Sequence, residues 1–199
     1  MPNPTSQGGT WSQFDCDVLI ANLIAKLPGI PRTFVEIGCG DGSENNTRLL
    51  LEQGWFGTWV DASEENVRKA ALINENSLCE RMTCESMPPV NFGFMDLGLL
   101  SIDVDGNDWH LWKRAGELGW NPWLVVIEAN IQKPFDESYI MPYNPDHEWD
   151  QVSHETGASV FSMIELGKEM GYRYWGKSEN PHSPNLLFVR GDLHGIITA

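Results

Sequence analysis

Apolar and polar positions follow each other along the chain in blocks of two kinds. Short, nearly continuous apolar runs at Thr33 to Gly38, Gly57 to Asp61, Leu99 to Asp103 and Trp123 to Glu128 predict strands buried on both faces. Other stretches carry apolar residues at helical spacing. Val18, Leu19, Leu23 and Ile24 predict a helix over Asp15 to Leu27, stopped by Pro28 and Gly29. Further helices are predicted over Glu44 to Gln53, from a Ser63 cap to about Ile73, over Asn107 to Leu118 and over Gly157 to Met170. Leu78 to Cys84 predicts a third strand, and Tyr172 to Gly176 with Leu186 to Arg190, divided by the turn-rich "KSENPHSPN", predict a hairpin. Strand and helix thus take turns. The pattern implies an α/β domain with a mainly parallel sheet, whose ligand crevice lies off the carboxyl ends of the strands.

Two segments break the rhythm. Residues 1–13 hold two prolines, two glycines and no charge, which predicts an N-terminal arm with little structure of its own. The remaining 14–199 is expected to be a single domain, since 199 residues bury roughly 70% of their unfolded surface without staples. Asn130 to Thr156 is rich in Pro, Asp, Tyr and His and has no period, as expected of a functional loop or a lid.

Charge narrows the partners. With 28 Asp plus Glu against 13 Lys plus Arg the formal net charge is -15, which argues against a nucleic-acid backbone as ligand. Cys16, Cys39, Cys79 and Cys84 form no C-x-x-C pair, so reduced thiols and a cytoplasmic location are expected. No basic segment leads an apolar core at the N-terminus, and no apolar run approaches the ~20 residues of a membrane span, so no membrane association is expected.

The chemistry concentrates in "FVEIGCGDGSENNT", Phe34 to Thr47: a strand, three glycines at alternate positions, then a helix start. A dinucleotide-binding turn would place its third glycine at position 43, which is Ser43. Glu36 and Asp41 put carboxylates beside the turn, which suits a positively charged ligand better than a pyrophosphate. "FVEIGCGDG" resembles the first motif of class I S-adenosylmethionine-dependent methyltransferases. The resemblance implies a Rossmann-like fold: a mainly parallel seven-stranded sheet with a C-terminal antiparallel hairpin and helices on both faces. It also implies S-adenosyl-L-methionine as cofactor, with the glycine turn passing under its methionine and ribose portions. Asp61 in "GTWVDAS", 19 residues past Gly42, matches the acid that holds the ribose hydroxyls, a role that suits a charged double acceptor. The cofactor-binding set so implied is Glu36, Gly38, Cys39, Gly40, Gly42, Asn46, Asp61, Ala62, Ser63 and Asp103. "LLSIDVDGNDWHLWK", "PWLVVIEANI", "HETGASVFSMIELGKEMGYRY" and "NLLFVR" are similar to the FkbM-like group, associated with O-methylation of sugars and natural products.

Several of these residues also have structural readings. Glu36 inside a buried strand needs a partner, either a backbone amide of a neighbouring loop or the cofactor's amino group. Asn45 and Asn46 can cap the helix that follows. Asp103, Asp105, Asn107 and Asp108 cluster at the carboxyl end of the fourth strand. Asp103 there can act as base or positioning group, the cluster can hold a divalent cation, or Asp105 and Asn107 can form a turn and cap. Because Glu128 and Asn130 stand after strand five where an adjacent pair of aspartates would favour a metal, no required metal is expected. His154, and after it His147, are the histidines suited to take a proton from a hydroxyl, so Asp103 and His154 are the catalytic candidates. Trp109, Trp112, Trp120 and Trp123 could stack on a sugar, although helix-to-sheet packing accounts for them too. The function expected is methyl transfer to an oxygen, or a nitrogen, of a small acceptor; the alternative is a catalytically inactive module that keeps the fold for cofactor or partner binding.

Overall fold

The computed structural model describes residues 11–89, 93 and 96–197. A 3-10 turn, Gln13–Asp15, leads into α1 (Cys16–Ile24), followed by β1 (Thr33–Ile37), α2 (Arg48–Glu52), β2 (Phe56–Asp61), α3 (Glu64–Ala70) and β3 (Ser77–Cys79). Then come β4 (Leu99–Ile102), α4 (Asp108–Glu117), β5 (Leu124–Glu128), α5 (Val160–Glu169), β6 (Tyr172–Lys177) and β7 (Asn185–Arg190). A 3-10 turn at Gly191–Leu193 and the single turn α6 (His194–Ile197) follow.

The seven strands form one sheet in the order β3-β2-β1-β4-β5-β7-β6. β1 to β5 run parallel, while β7 pairs antiparallel with both β5 and β6. The apolar strands read as continuous because both faces are covered. Val35, Ile37, Leu100, Ile102, Val125 and Ile127 face Trp112 of α4 and Met163 of α5. Phe34, Leu99, Leu124 and Val126 face Ile20 and Leu23 of α1 and Leu50 of α2. Since β2 and β4 flank β1 on opposite sides, the connections diverge at the carboxyl ends of β1 and β4, where such sheets open a ligand crevice.

Three elements depart from the sequence expectation. α2 starts at Arg48 rather than Glu44, because the backbone N–H groups of Asn46 and Thr47 are turned inward onto the Glu36 carboxylate. β3 stops at Cys79, a three-residue edge strand, after which the chain turns towards the crevice. The arm expected over 1–13 lies outside the described residues up to residue 10, but its last part is tied down. The Trp11 N–H and the Ser12 hydroxyl both donate to the Asp17 carboxylate, and Trp11 O accepts from Asn45 N–H. The hairpin is present as β6 and β7. Trp112 and Trp120 are core residues, the Trp112 ring lying tilted against Phe188 with centroids 4.7 Å apart. Among the described residues no helix is long and apolar enough to cross a membrane.

Candidate functional site

The three glycines after β1 are required for three different reasons. All have left-handed φ, +88° at Gly38, +57° at Gly40 and +78° at Gly42, which side chains rarely tolerate. A Cβ on Gly38 would lie 1.6 Å from the carbonyl oxygen of Asp103, so this glycine lets β1 and β4 end side by side. A Cβ on Gly42 would press on the Trp59 ring at 2.8 Å. At Gly40 a Cβ would meet nothing within 4 Å. That open space belongs to a cavity of about 660 Å³ bordered by Gly38, Gly40, Asp61, Ala62 and Asp103.

Asp61, the last residue of β2, closes the turn from beneath. Its Oδ2 accepts from Gly40 N–H at 2.9 Å, and its Oδ1 accepts from Ser63 N–H at 2.8 Å and from the Asn66 amide at 3.2 Å. Ser63 itself caps α3, accepting from Asn66 N–H through its hydroxyl.

Glu36 lies elsewhere. It is 1% exposed and does not border the cavity; its carboxylate accepts from the N–H groups of Asn46 and Thr47 and from the Thr47 hydroxyl. Burial pushes its carboxyl up to about 7 in spite of these donors. The backbone-amide reading of Glu36 is therefore the one its contacts express: it organises the chain behind the turn. Asn46, 4% exposed, donates to Ser101 Oγ at 3.1 Å, and Cys39 is 1% exposed. Of the cofactor set, Gly38, Gly40, Asp61, Ala62 and Asp103 border the cavity, while Glu36, Cys39, Gly42, Asn46 and Ser63 support it from outside.

The acidic cluster after β4 separates into two parts. Asp108 is turned inward, its two oxygens accepting from Val104 N–H at 2.9 Å and Gly106 N–H at 2.8 Å, and burial raises its carboxyl to about 6. Asn107 is spent on Asn144, donating to its carbonyl at 2.7 Å. Asp103 and Asp105 instead meet Glu128 from the end of β5, and oxygens of all three lie within 4.8 Å of one another. Such a group can share a proton, hold an ammonium or hold a divalent cation. Burial, with the neighbouring Asp108 charge, raises Asp103 to about 7. Burial and the Asp103 charge also raise Glu128 well above the ordinary carboxylate range, so a proton can be shared between the two. Asp105 is raised by burial and sits at φ +56°.

A second chamber of about 380 Å³ adjoins the first and shares Asp105, Glu128, Trp149, His182 and Pro184 with it. The irregular segment after β5 walls it. Asn130, bridged to Ser159 beside the sheet, fixes that wall by donating to the carbonyls of His154 and Thr156 at 2.9 and 2.8 Å. His154 borders this chamber and His147 the larger cavity, so the two lie on different walls. His147 Nε2 is 3.2 Å from both Asp105 O and Thr156 Oγ1.

Sequence reasoning did not single out Gln13, Phe14, Trp149 or His182, all of which border these cavities. Periodicity carries no signal for them. Glu128 did leave one: like Asp61 and Asp103 it is an acid at the carboxyl end of an apolar strand.

Compared with known proteins, the chain matches no family model and no curated protein. Solved structures do match. An S-adenosylmethionine-dependent methyltransferase from Clostridium acetobutylicum aligns with a TM-score of 0.55 at 11% identity, over 94% of this chain and 93% of its own. The fold is the one class I S-adenosylmethionine-dependent methyltransferases share. The sugar N-methyltransferase KedS8 from Streptoalloteichus has a TM-score of 0.55 at 12% identity, covering 89% of this chain and 87% of its own. The magnesium protoporphyrin IX methyltransferase from Synechocystis, solved with S-adenosylhomocysteine, gives 0.51 at 13% over 88% of this chain and 81% of its own. At such identities the likeness concerns the fold.

Proposed function

We propose that this chain is an S-adenosylmethionine-dependent methyltransferase of the FkbM-like group, acting on a hydroxyl oxygen or an amine nitrogen of a small acceptor such as a sugar or natural product. One observation carries the reading. The cavity over the glycine turn, open at Gly40 and floored by Asp61, meets a second chamber at the carboxylates Asp105 and Glu128. Two adjoining cavities joined at titratable groups suit two substrates held side by side.

The residues present fit the cofactor. Asp61 borders the cavity and its Oδ2, already accepting from Gly40 N–H, keeps a second lone pair for a ribose hydroxyl, the backbone at Gly40 leaves room for a ligand, and the surrounding carboxylates suit a cation. When bound, S-adenosylmethionine supplies an activated methyl group on a sulfonium. The chain itself aligns the reactants, excludes water and removes the acceptor's proton. Asp103 takes that proton: its carboxylate ends β4 on the cavity wall, and the proton can be shared with Glu128. His154 serves the acceptor side of the second chamber. No step in this scheme requires a metal. The four unbonded thiols Cys16, Cys39, Cys79 and Cys84 suit a cytoplasmic enzyme.

Titration calorimetry with S-adenosylmethionine and S-adenosylhomocysteine tests the reading, with micromolar binding of both expected and preference for a nicotinamide dinucleotide overturning it. Radiolabelled methyl transfer to an acceptor panel then separates an enzyme from an inactive binding module of the same fold.

A further inference from the structure

The smaller chamber has a one-sided chemistry. At about 380 Å³ it falls in the size range of small-molecule sites. Among the described residues no lysine or arginine lines it, while Asp105 and Glu128 stand where it joins the cofactor cavity. The larger cavity is bordered by Arg81, whose guanidinium is already paired with Glu148. Trp149, its indole N–H fixed to the Ser153 carbonyl at 2.9 Å, adds a flat apolar panel to the smaller chamber.

We propose that this chamber is the acceptor site and that it takes a small molecule carrying a protonated amine, held by Asp105 and Glu128 with its carbon skeleton against Trp149. The proposal rests on the methyltransferase reading, since it assigns the adjoining cavity to the cofactor. An ammonium offers up to three donors and a charge, which answers the two carboxylates. A phosphorylated or carboxylated acceptor would face Asp105 and Glu128 with no fixed cation opposite. The net charge of -15 acts in the same sense, raising the local concentration of cations and lowering that of anions.

Matched probes test this on the full chain saturated with S-adenosylhomocysteine, with binding followed by saturation-transfer NMR. Glucosamine is set against N-acetylglucosamine and glucosamine 6-phosphate, and tyramine against N-acetyltyramine. The amines should bind roughly tenfold or more tightly than their acetylated partners, the scale for one charge-assisted contact, and the phosphate should bind no better than the acetylated sugar. Asp105→Asn, a residue type that tolerates the left-handed φ there, and Glu128→Gln should each erase that preference while leaving the acetylated compounds unaffected. Equal binding within the pairs, better binding of the phosphate, or no binding by either amine overturns the proposal. Failure to bind S-adenosylhomocysteine itself is a different result, and it overturns the cofactor reading instead.

Discussion

The carboxylate of Asp61 accepts a hydrogen bond from the backbone N–H of Gly40 at 2.9 Å, joining the end of β2 to the turn after β1. The acid assigned to the ribose thus also holds the glycine turn in shape, and its other oxygen holds Ser63 and Asn66. Asp61→Ala should weaken S-adenosylhomocysteine binding by roughly 1.5–3 kcal/mol, the scale for hydrogen bonds to a charged acceptor, and should also lower the melting temperature by a few degrees. Asp61→Asn keeps one acceptor oxygen and should lie between. Calorimetry and thermal melts read the two effects separately, and unchanged affinity in Asp61→Ala removes the ribose assignment.

Gly38 and Gly40 should respond to substitution in opposite ways. Gly38→Ala drives a methyl into the Asp103 carbonyl, 1.6 Å from where its Cβ must sit, so this variant should fail to accumulate as folded protein. At Gly40 an added Cβ meets no atom within 4 Å, so Gly40→Val carries mainly the cost of a left-handed φ, on the order of 1–3 kcal/mol. It should fold and lose cofactor binding, because its side chain enters the cavity. A folded Gly40→Val protein that binds S-adenosylhomocysteine like the parent would place the cofactor elsewhere.

The alternation of apolar strands with helices made the sheet legible, since residues buried on both faces leave continuous apolar runs such as Leu124 to Ile127. The acids at strand ends were legible for the same reason: a carboxylate closing a buried strand needs a partner, and Asp61 and Asp103 each border the cavity. The direction each acid takes was not legible. Glu36 and Asp108 are as conspicuous in the sequence as Asp61 and Asp103, yet both are turned onto backbone N–H groups, because loops at 46–47 and 104–106 present free donors to them. Trp149 and His182 come from segments without period, and only tertiary folding carries them to the chambers.

Buried carboxyls should make the protein less stable as the medium becomes alkaline. Burial raises Glu36 and Asp103 to about 7 and Asp108 to about 6, above their values in the unfolded chain. The folded state therefore favours their protonated forms. That contribution is complete below the ordinary carboxyl range and is lost as pH rises through 6 to 7, at about 1.4 kcal/mol per unit of difference. The melting temperature should fall by at least several degrees between pH 5 and pH 8. Asp103→Asn, which cannot ionise, should show a shallower fall. A melting temperature that is level or rises over this interval contradicts the assignment.

Strained backbone borders the larger cavity. Phe14 and Asp15 both have left-handed φ, +55° and +63°, and Gln13 and Phe14 border the same cavity as Gly38 and Gly40. The Trp11 and Ser12 bonds to Asp17 hold this conformation, at a cost on the order of 1–3 kcal/mol for each strained residue. Phe14→Gly removes strain together with the ring, so stability should stay within about 1 kcal/mol of the parent while S-adenosylhomocysteine binding weakens roughly tenfold. If both quantities stay at parental values, Phe14 is a bystander.

The base proposed for catalysis is Asp103, on the wall of the larger cavity and against Glu128, which borders both chambers. Asp103→Asn preserves shape and can still hydrogen-bond to Glu128, but it cannot take a proton from the acceptor. Cofactor affinity should stay within a few-fold, while methyl transfer should fall roughly 10²-fold or more, the usual scale for loss of a general base. The parental rate should rise with pH as Asp103 ionises near 7, and the residual rate of Asp103→Asn should lose that dependence. Because Asp103, Asp105 and Glu128 can also gather round a divalent cation, the same assay is run on the parent protein with a chelator, and undiminished activity is expected. Activity lost to the chelator and restored by Mg²⁺ would reassign the three carboxylates from proton transfer to metal binding. Parental turnover by Asp103→Asn would instead leave His154, on the wall of the smaller chamber, as the group to replace next.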